Sequence, residues 1–197
     1  MAQPYIYERQ IEYRTSREIE DFLADGGFSV AVHPLTQLTE RSLPTDFIFF
    51  DRHTKKLFGF QYKVLYHNGS DHWLLDAEQH QQLQSFDWIY YGLSDVTSPR
   101  ALRRALAHLR IAPVDFGYEP LLNEGTIPLS KYFRWADFFE GLRRCKYGRK
   151  TSTPEELREA LWPHNRSAPR EIDQLVSEIF LVDFDNREAT ILSTIRS

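Results

Sequence analysis

Apolar positions along this chain change their spacing several times, and each change predicts an element. From Thr15 to Asp25, Ile19, Phe22 and Leu23 share one helical face; Thr15 and Glu18 have capping-box spacing, and Gly26-Gly27 supplies a stop. The run Phe28 to His33 is short and β-prone and ends at Pro34, after which a polar stretch leads to Leu43-Pro44-Thr45. Asp46 to Phe50 is apolar or aromatic after its first residue, as in a strand covered on both faces. A polar turn, Asp51 to Lys56, joins it to a second run, Leu57 to Tyr66, predicting a hairpin. Asp76 and Gln79 have cap spacing for a helix from Asp76 to Ser85, followed by a strand from Trp88 to Leu93. Ser98-Pro99 then opens a helix to about Arg110, with proline where helices tolerate it best. Beyond Ile111 the pattern predicts a strand at 113–118, a Pro/Gly/Asn loop, and helices near 129–146, 153–161 and 168–180, with 163–170 the least ordered stretch. The order α-β-β-β-α-β-α implies an α/β core over residues 1–112, a sheet flanked by helices, with a mainly helical extension over 113–197 packed on it.

Composition narrows the class. A chain of 197 residues is long enough for a substantial buried interior. Its single cysteine, Cys145, excludes an internal disulfide framework and a cysteine-rich zinc site, which points to a reducing, cytoplasmic setting. No apolar run approaches the roughly 20 residues that span a bilayer, and the first 25 residues are too polar for a secretory signal. A membrane partner is therefore not expected. The histidines lack the local spacing of a zinc site, and no Gly-rich phosphate loop or Gly-x-Ser-x-Gly turn is present.

The net charge of −4 argues against wholesale coating of nucleic acid, but the charge is unevenly spread. Segment 98–110 holds Arg100, Arg103, Arg104 and Arg110 with no acid, and segment 141–150 holds Arg143, Arg144, Lys146, Arg149 and Lys150 with none; residues 154–197 lean acidic. Both basic segments are candidates for holding a phosphate backbone, the second also carrying Tyr147.

The candidate chemistry lies on the hairpin. Alternate side chains of a strand share a face, so Gln61 and Lys63 point one way and Phe60, Tyr62 and Val64 the other. Hairpin pairing brings Asp46 towards Gln61, although the register is not readable from the sequence. Hard cations take oxygen ligands, which suits Asp46 and the Gln61 side-chain oxygen, while a lysine at position 63 is suited to orienting an attacking water or stabilising charge on a phosphate. The plainer readings are a turn aspartate at 46 and a solvated strand face at 61 and 63.

Pro44-Thr45-Asp46 and Gln61-Tyr62-Lys63, on these elements in this order, resemble the PD-(D/E)xK nuclease superfamily over roughly residues 8–95. The helix ending in Gly26-Gly27-Phe28, the distance to Asp46 and the helix containing Gln79 are similar in layout to archaeal Holliday-junction resolvases and restriction-type enzymes. The resemblance implies a restriction endonuclease-like αβββαβ core, Mg²⁺ or Mn²⁺ as cofactor, and hydrolysis of phosphodiester bonds, in DNA more often than RNA. It also implies restriction, mobile-element, repair or defence contexts, with a homodimer or larger complex as partner. Two departures stand out: Thr45 separates Pro44 from Asp46, and Gln61 stands where an acid is commoner. A neutral amide holds a cation less well than a carboxylate, so a further acid is expected, which many family members take from the first helix. Helical phase selects Glu12, in line with Ile19, Phe22 and Leu23; Glu8 shares the phase, and Glu20 serves if the helix is rotated. The alternative is a catalytically inactive member of the same fold that binds nucleic acid or assembles with partners through its helical C-terminal half.

Overall fold

The first helix, α1, spans Glu8–Asp25 and begins upstream of Thr15. Tyr7 is its N-cap, and the Gln10 side-chain oxygen accepts the Tyr7 amide at 3.2 Å. Thr15 is therefore interior and buried, and Glu18 accepts the amides of Ala105 (3.3 Å) and Leu106 (2.9 Å) instead of completing a cap. The helix stops where expected: Gly26 donates to Phe22 O at 3.1 Å, and Gly27 turns the chain at φ +77°, where a side chain is strained.

The computed structural model describes residues 3–35, 43–128, 130–163 and 167–179. The polar connection before Leu43, part of the 163–170 stretch and the end of the last expected helix lie outside them.

The main sheet is mixed. Its strands are β2 (Val30–Pro34), β3 (Phe47–Asp51), β4 (Lys56–Lys63), β7 (Ile89–Ser94) and β8 (Leu109–Pro113), in that spatial order. Only β4 and β7 run parallel; β2–β3, β3–β4 and β7–β8 are antiparallel. The short β10 (Arg149–Lys150) pairs with the start of β4. A smaller antiparallel sheet is built from β1 (Gln3–Pro4), β5 (Leu65–His67), β6 (Asp71–Leu74) and β9 (Leu121–Leu122), in the order β1-β5-β6-β9. The expected run Leu57–Tyr66 is thus divided at Val64: β4 stays in the main sheet and β5 passes to the small one.

Both faces of the main sheet are covered, and strand periodicity decides which residue meets which helix. Phe49, Phe58, Phe60, Tyr62 and Tyr90 pack against Ile11, Ile19 and Leu23 of α1 and against Trp135, Phe138 and Leu142 of α4 (Trp135–Arg143). On the other face, Ile48, Phe50, Leu57, Ile89, Tyr91 and Leu93 meet Leu83 of α2 (Ala77–Leu83) and Leu157, Ala160 and Leu161 of α5 (Pro154–Leu161). Ile172, Val176 and Ile179 of the helix at 170–179, α6, join that second core. Trp88, fully buried, donates its indole N–H to Ala160 O at 2.9 Å, fastening α5 to the sheet. Gly92 lies opposite Tyr62 in the register, where a Cβ would come within 2.6 Å of the tyrosine ring. Only glycine leaves room there for Tyr62.

Two expectations need correction. The helix expected from Ser98 to about Arg110 is a short α3 (Pro99–Leu102) and a 3₁₀ turn (Ala105–His108), after which the chain enters β8. The strand expected at 113–118 is therefore β8, several residues earlier; pairing with β7 overrides the helix propensity of Leu, Ala and Arg in this segment. Among the described residues no helix is long and apolar enough to cross a membrane.

Candidate functional site

The β3–β4 register sets Phe47 opposite Phe60, so Asp46, just before β3, reaches the end of β4. Thr45 holds the approach: its buried hydroxyl lies 2.9 Å from Phe60 O and 3.2 Å from Phe47 O, and the Asp46 amide donates to Phe60 O at 3.0 Å. The residue inserted between proline and aspartate is thus an anchor. The Asp46 carboxylate accepts the Tyr62 amide at 2.6 Å, and both its oxygens lie 3.0 Å from the Gln61 side-chain nitrogen. Gln61 therefore presents its amide N–H₂, not its oxygen, to Asp46. It acts here as a donor that orients the acid.

Tyr62, between Gln61 and Lys63, points to the opposite face. Its hydroxyl lies 3.1 Å from the Ser16 hydroxyl, a buried contact joining β4 to α1. Glu12 and Glu8 stand one and two turns before Ser16 on the same side of the helix, so this contact aims both acids at the end of β4. Neither Tyr62 nor Ser16 has a sequence signal as a site residue: the tyrosine occupies the unspecified position of the triplet, and the serine lies among ordinary helix polar residues.

Electrostatics tie the group together. Asp46 is pushed up to about 8, first by burial and then by the charge of Glu12; the Tyr62 amide opposes this, Glu8 raises it further and Lys63 lowers it. Glu8 is itself raised by burial, with Lys63 acting against that shift. Three carboxylates and one ammonium thus share one electrostatic neighbourhood. Glu20 is not part of it, being paired with Arg17 at 3.0 Å. Among the described residues no group of three His, Cys, Asp or Glu side chains is close enough to bind a metal directly. A cation here would keep several waters and use one or two carboxylates, which is how magnesium is usually held. Asp46 and Glu12 fit that requirement in chemistry.

The two basic segments have different settings. Arg103 and Arg104 precede the turn that docks on α1, where Arg14 donates to Arg103 O at 3.5 Å beside Glu18. With Ser98, Arg100, Ala101 and His108 they line an open cavity of about 470 Å³, and Arg100, Arg103 and Arg104 make no ion pair among the described residues. Arg110 is structural, bound to Asp95 at 3.0 Å and to Glu124, and placed over the Tyr132 ring. In the other segment, Arg143 and Arg144 pair with Glu140 at 3.4 and 2.7 Å, and Arg149 lies near Asp87 (3.7 Å) and Glu159 (3.6 Å). Arg149 and Lys150 form β10 against Leu57 and Lys56, with Lys146 in the preceding turn. Their strand pairs with the far end of β4, about 13 Å of strand from Gln61.

Compared with known protein families, curated proteins and solved structures, the chain matches none.

Proposed function

We propose that this chain is a metal-dependent nuclease of the PD-(D/E)xK, restriction endonuclease-like class, hydrolysing phosphodiester bonds with Mg²⁺ or Mn²⁺, in DNA before RNA. One observation carries the reading: Asp46, Glu12, Glu8 and Lys63 share an electrostatic neighbourhood at the end of β4, with Asp46 raised to about 8 by burial and like charge. Such an arrangement is unfavourable for the bare protein and becomes favourable when a cation offsets the negative charge. A mixed sheet covered by helices on both faces is compatible with that core.

When bound, a divalent cation acidifies water and offsets the charge that builds on the phosphate. The protein's own groups divide the remaining work. Asp46 and Glu12 supply oxygens, and Glu8 is the reserve acid. Gln61 keeps Asp46 in place, and a half-turn of its amide would offer oxygen in place of nitrogen. Lys63 donates to the attacking water or to a phosphate oxygen. The water gives up a proton to solvent as its oxygen bonds to phosphorus, the bond to one sugar oxygen breaks, and that oxygen takes up a proton from solvent.

The test is cleavage of single- and double-stranded DNA and RNA with Mg²⁺ or Mn²⁺. Wild type is expected to cut, with losses of at least about 10²-fold for Asp46→Ala and Lys63→Ala, equivalent to roughly 3 kcal/mol of transition-state stabilisation. Cutting unaffected by both substitutions would sink this site. A second reading, a catalytically inactive nucleic-acid-binding or assembly subunit, is favoured by the Gln61 nitrogen facing Asp46. Binding without cutting in any metal would select it.

A further inference from the structure

Four tyrosines lie on the first turns of α1, on the segment before it and on β5. Tyr7, the residue before Glu8, is 75% exposed, and Tyr13, the residue after Glu12, is 69% exposed. Tyr5 is half-exposed; its amide donates to Leu65 O at 3.5 Å, which sets it beside β5, and its ring lies 6.0 Å from that of His67. Tyr66, also on β5, is raised by burial and by the charge of Glu8, so its phenol shares the Glu8 neighbourhood. An isolated exposed ring is ordinary, but several on the first turns of α1 and the strand beside them keep a large apolar area in water.

The same helix leads from these rings to Arg100, Arg103 and Arg104. Tyr7 and Arg14 are two turns apart on α1, about 11 Å, and Arg14 touches the Arg103 carbonyl. Tyr7 and the arginine-lined cavity therefore lie along one face of α1, with Glu8 about 100° round the helix from Tyr7 and Glu12 turned further, towards β4.

We infer that the nucleic acid handled by this site is single-stranded where it crosses α1, with bases stacked on Tyr7 and its neighbouring rings and phosphates held by Arg100, Arg103 and Arg104. The inference rests on the nuclease reading above and names its substrate class. Arginines alone hold duplex and single strands alike, because both present phosphates. Tyrosine faces discriminate: bases of an intact duplex are stacked on one another, whereas unpaired bases offer a free face to an aromatic ring.

The test is fluorescence anisotropy of the full chain with a labelled single-stranded DNA, the same-sequence RNA and the matched duplex, in EDTA, with Mn²⁺ cleavage of each followed in parallel. Single strands of DNA or RNA are expected to bind at least about tenfold more tightly than duplex. Tyr7→Ala should weaken single-strand binding by about 5- to 100-fold and leave duplex binding unchanged, while Tyr7→Phe should retain it. Arg103→Gln with Arg104→Gln should weaken both and reduce the salt slope by about two. Equal or tighter duplex binding, or no effect of Tyr7→Ala, would overturn the inference. Asp46-dependent cutting of duplex as fast as single strands would overturn it too, while leaving the nuclease reading in place. Tyr7-dependent single-strand binding with no cutting in any metal would uphold the inference and remove the nuclease.

Discussion

Asp46 carries the sharpest conflict in the molecule, since the Tyr62 amide that orients it favours its charge while burial and the charge of Glu12 make that charge costly. A carboxyl raised to about 8 in the folded chain, from an ordinary value near 3.8, favours the fold while protonated. That contribution is complete below about pH 4 and is lost as pH rises through about 8. Removing the charge should therefore help most where wild type is ionised. Compared with wild type in EDTA, Asp46→Asn should have a clearly more favourable melting temperature at pH 9 than at pH 5. A difference that does not change with pH would contradict the shift. A bound cation requires the ionised acid, so Mn²⁺ affinity by calorimetry should rise about tenfold per pH unit from 6 to 8 and level off above. Glu8, raised in the same sense, reinforces that direction, and Lys63 opposes it.

Among the elements, β4 organises the site because its two faces do different jobs. Gln61 turns to Asp46, while Tyr62 reaches back to Ser16 and so sets α1. Tyr62→Phe leaves the buried Ser16 hydroxyl without its partner and should cost about 1–2 kcal/mol in denaturant unfolding. It should also lower activity by letting Glu12 shift. Gly92→Ala strikes the same ring from the neighbouring strand, where a Cβ at 2.6 Å forces repacking worth about 1–3 kcal/mol. The two substitutions should fail to add, because both act through one tyrosine.

How far the sequence discloses these elements follows from the range of the forces involved. Alternation along 57–63 and the apolar run after Asp46 are local patterns, so the hairpin and the shared face of Gln61 and Lys63 are readable. The cap at Asp76 is readable for the same reason, and its side chain does accept the Gln79 amide at 2.8 Å. The switch of β5 into a second sheet is not, since nothing local distinguishes Leu65 to His67 from a continuing strand. Segment 99–113 misleads because its helix-forming residues are overruled by pairing with β7. The Tyr62–Ser16 contact joins residues 46 positions apart and leaves no local trace.

At the scale of the whole molecule, the C-terminal helices matter because they cover the sheet that carries the site. Leu157, Leu161 and Ile172 close the face of the sheet that carries Ile48 and Leu57. Leu161→Ala should cost about 2–5 kcal/mol in thermal or denaturant unfolding while leaving the pH dependence of Mn²⁺ binding unchanged in the molecules that remain folded. A chain cut after residue 112 exposes that apolar face and should aggregate or fail to unfold cooperatively.

The indole of Trp88 bound to the Ala160 carbonyl has a consequence in time as well as in space. Synthesis proceeds from the N-terminus, so Asp46, Gln61 and Lys63 leave the ribosome long before the helices that cover their sheet. Until Ala160 emerges, Trp88 lacks this acceptor and one side of the sheet is covered only in part, by Leu83 of α2. The sheet that carries Asp46, Gln61 and Lys63 is thus fully packed only late in synthesis, once Ala160 can accept from Trp88.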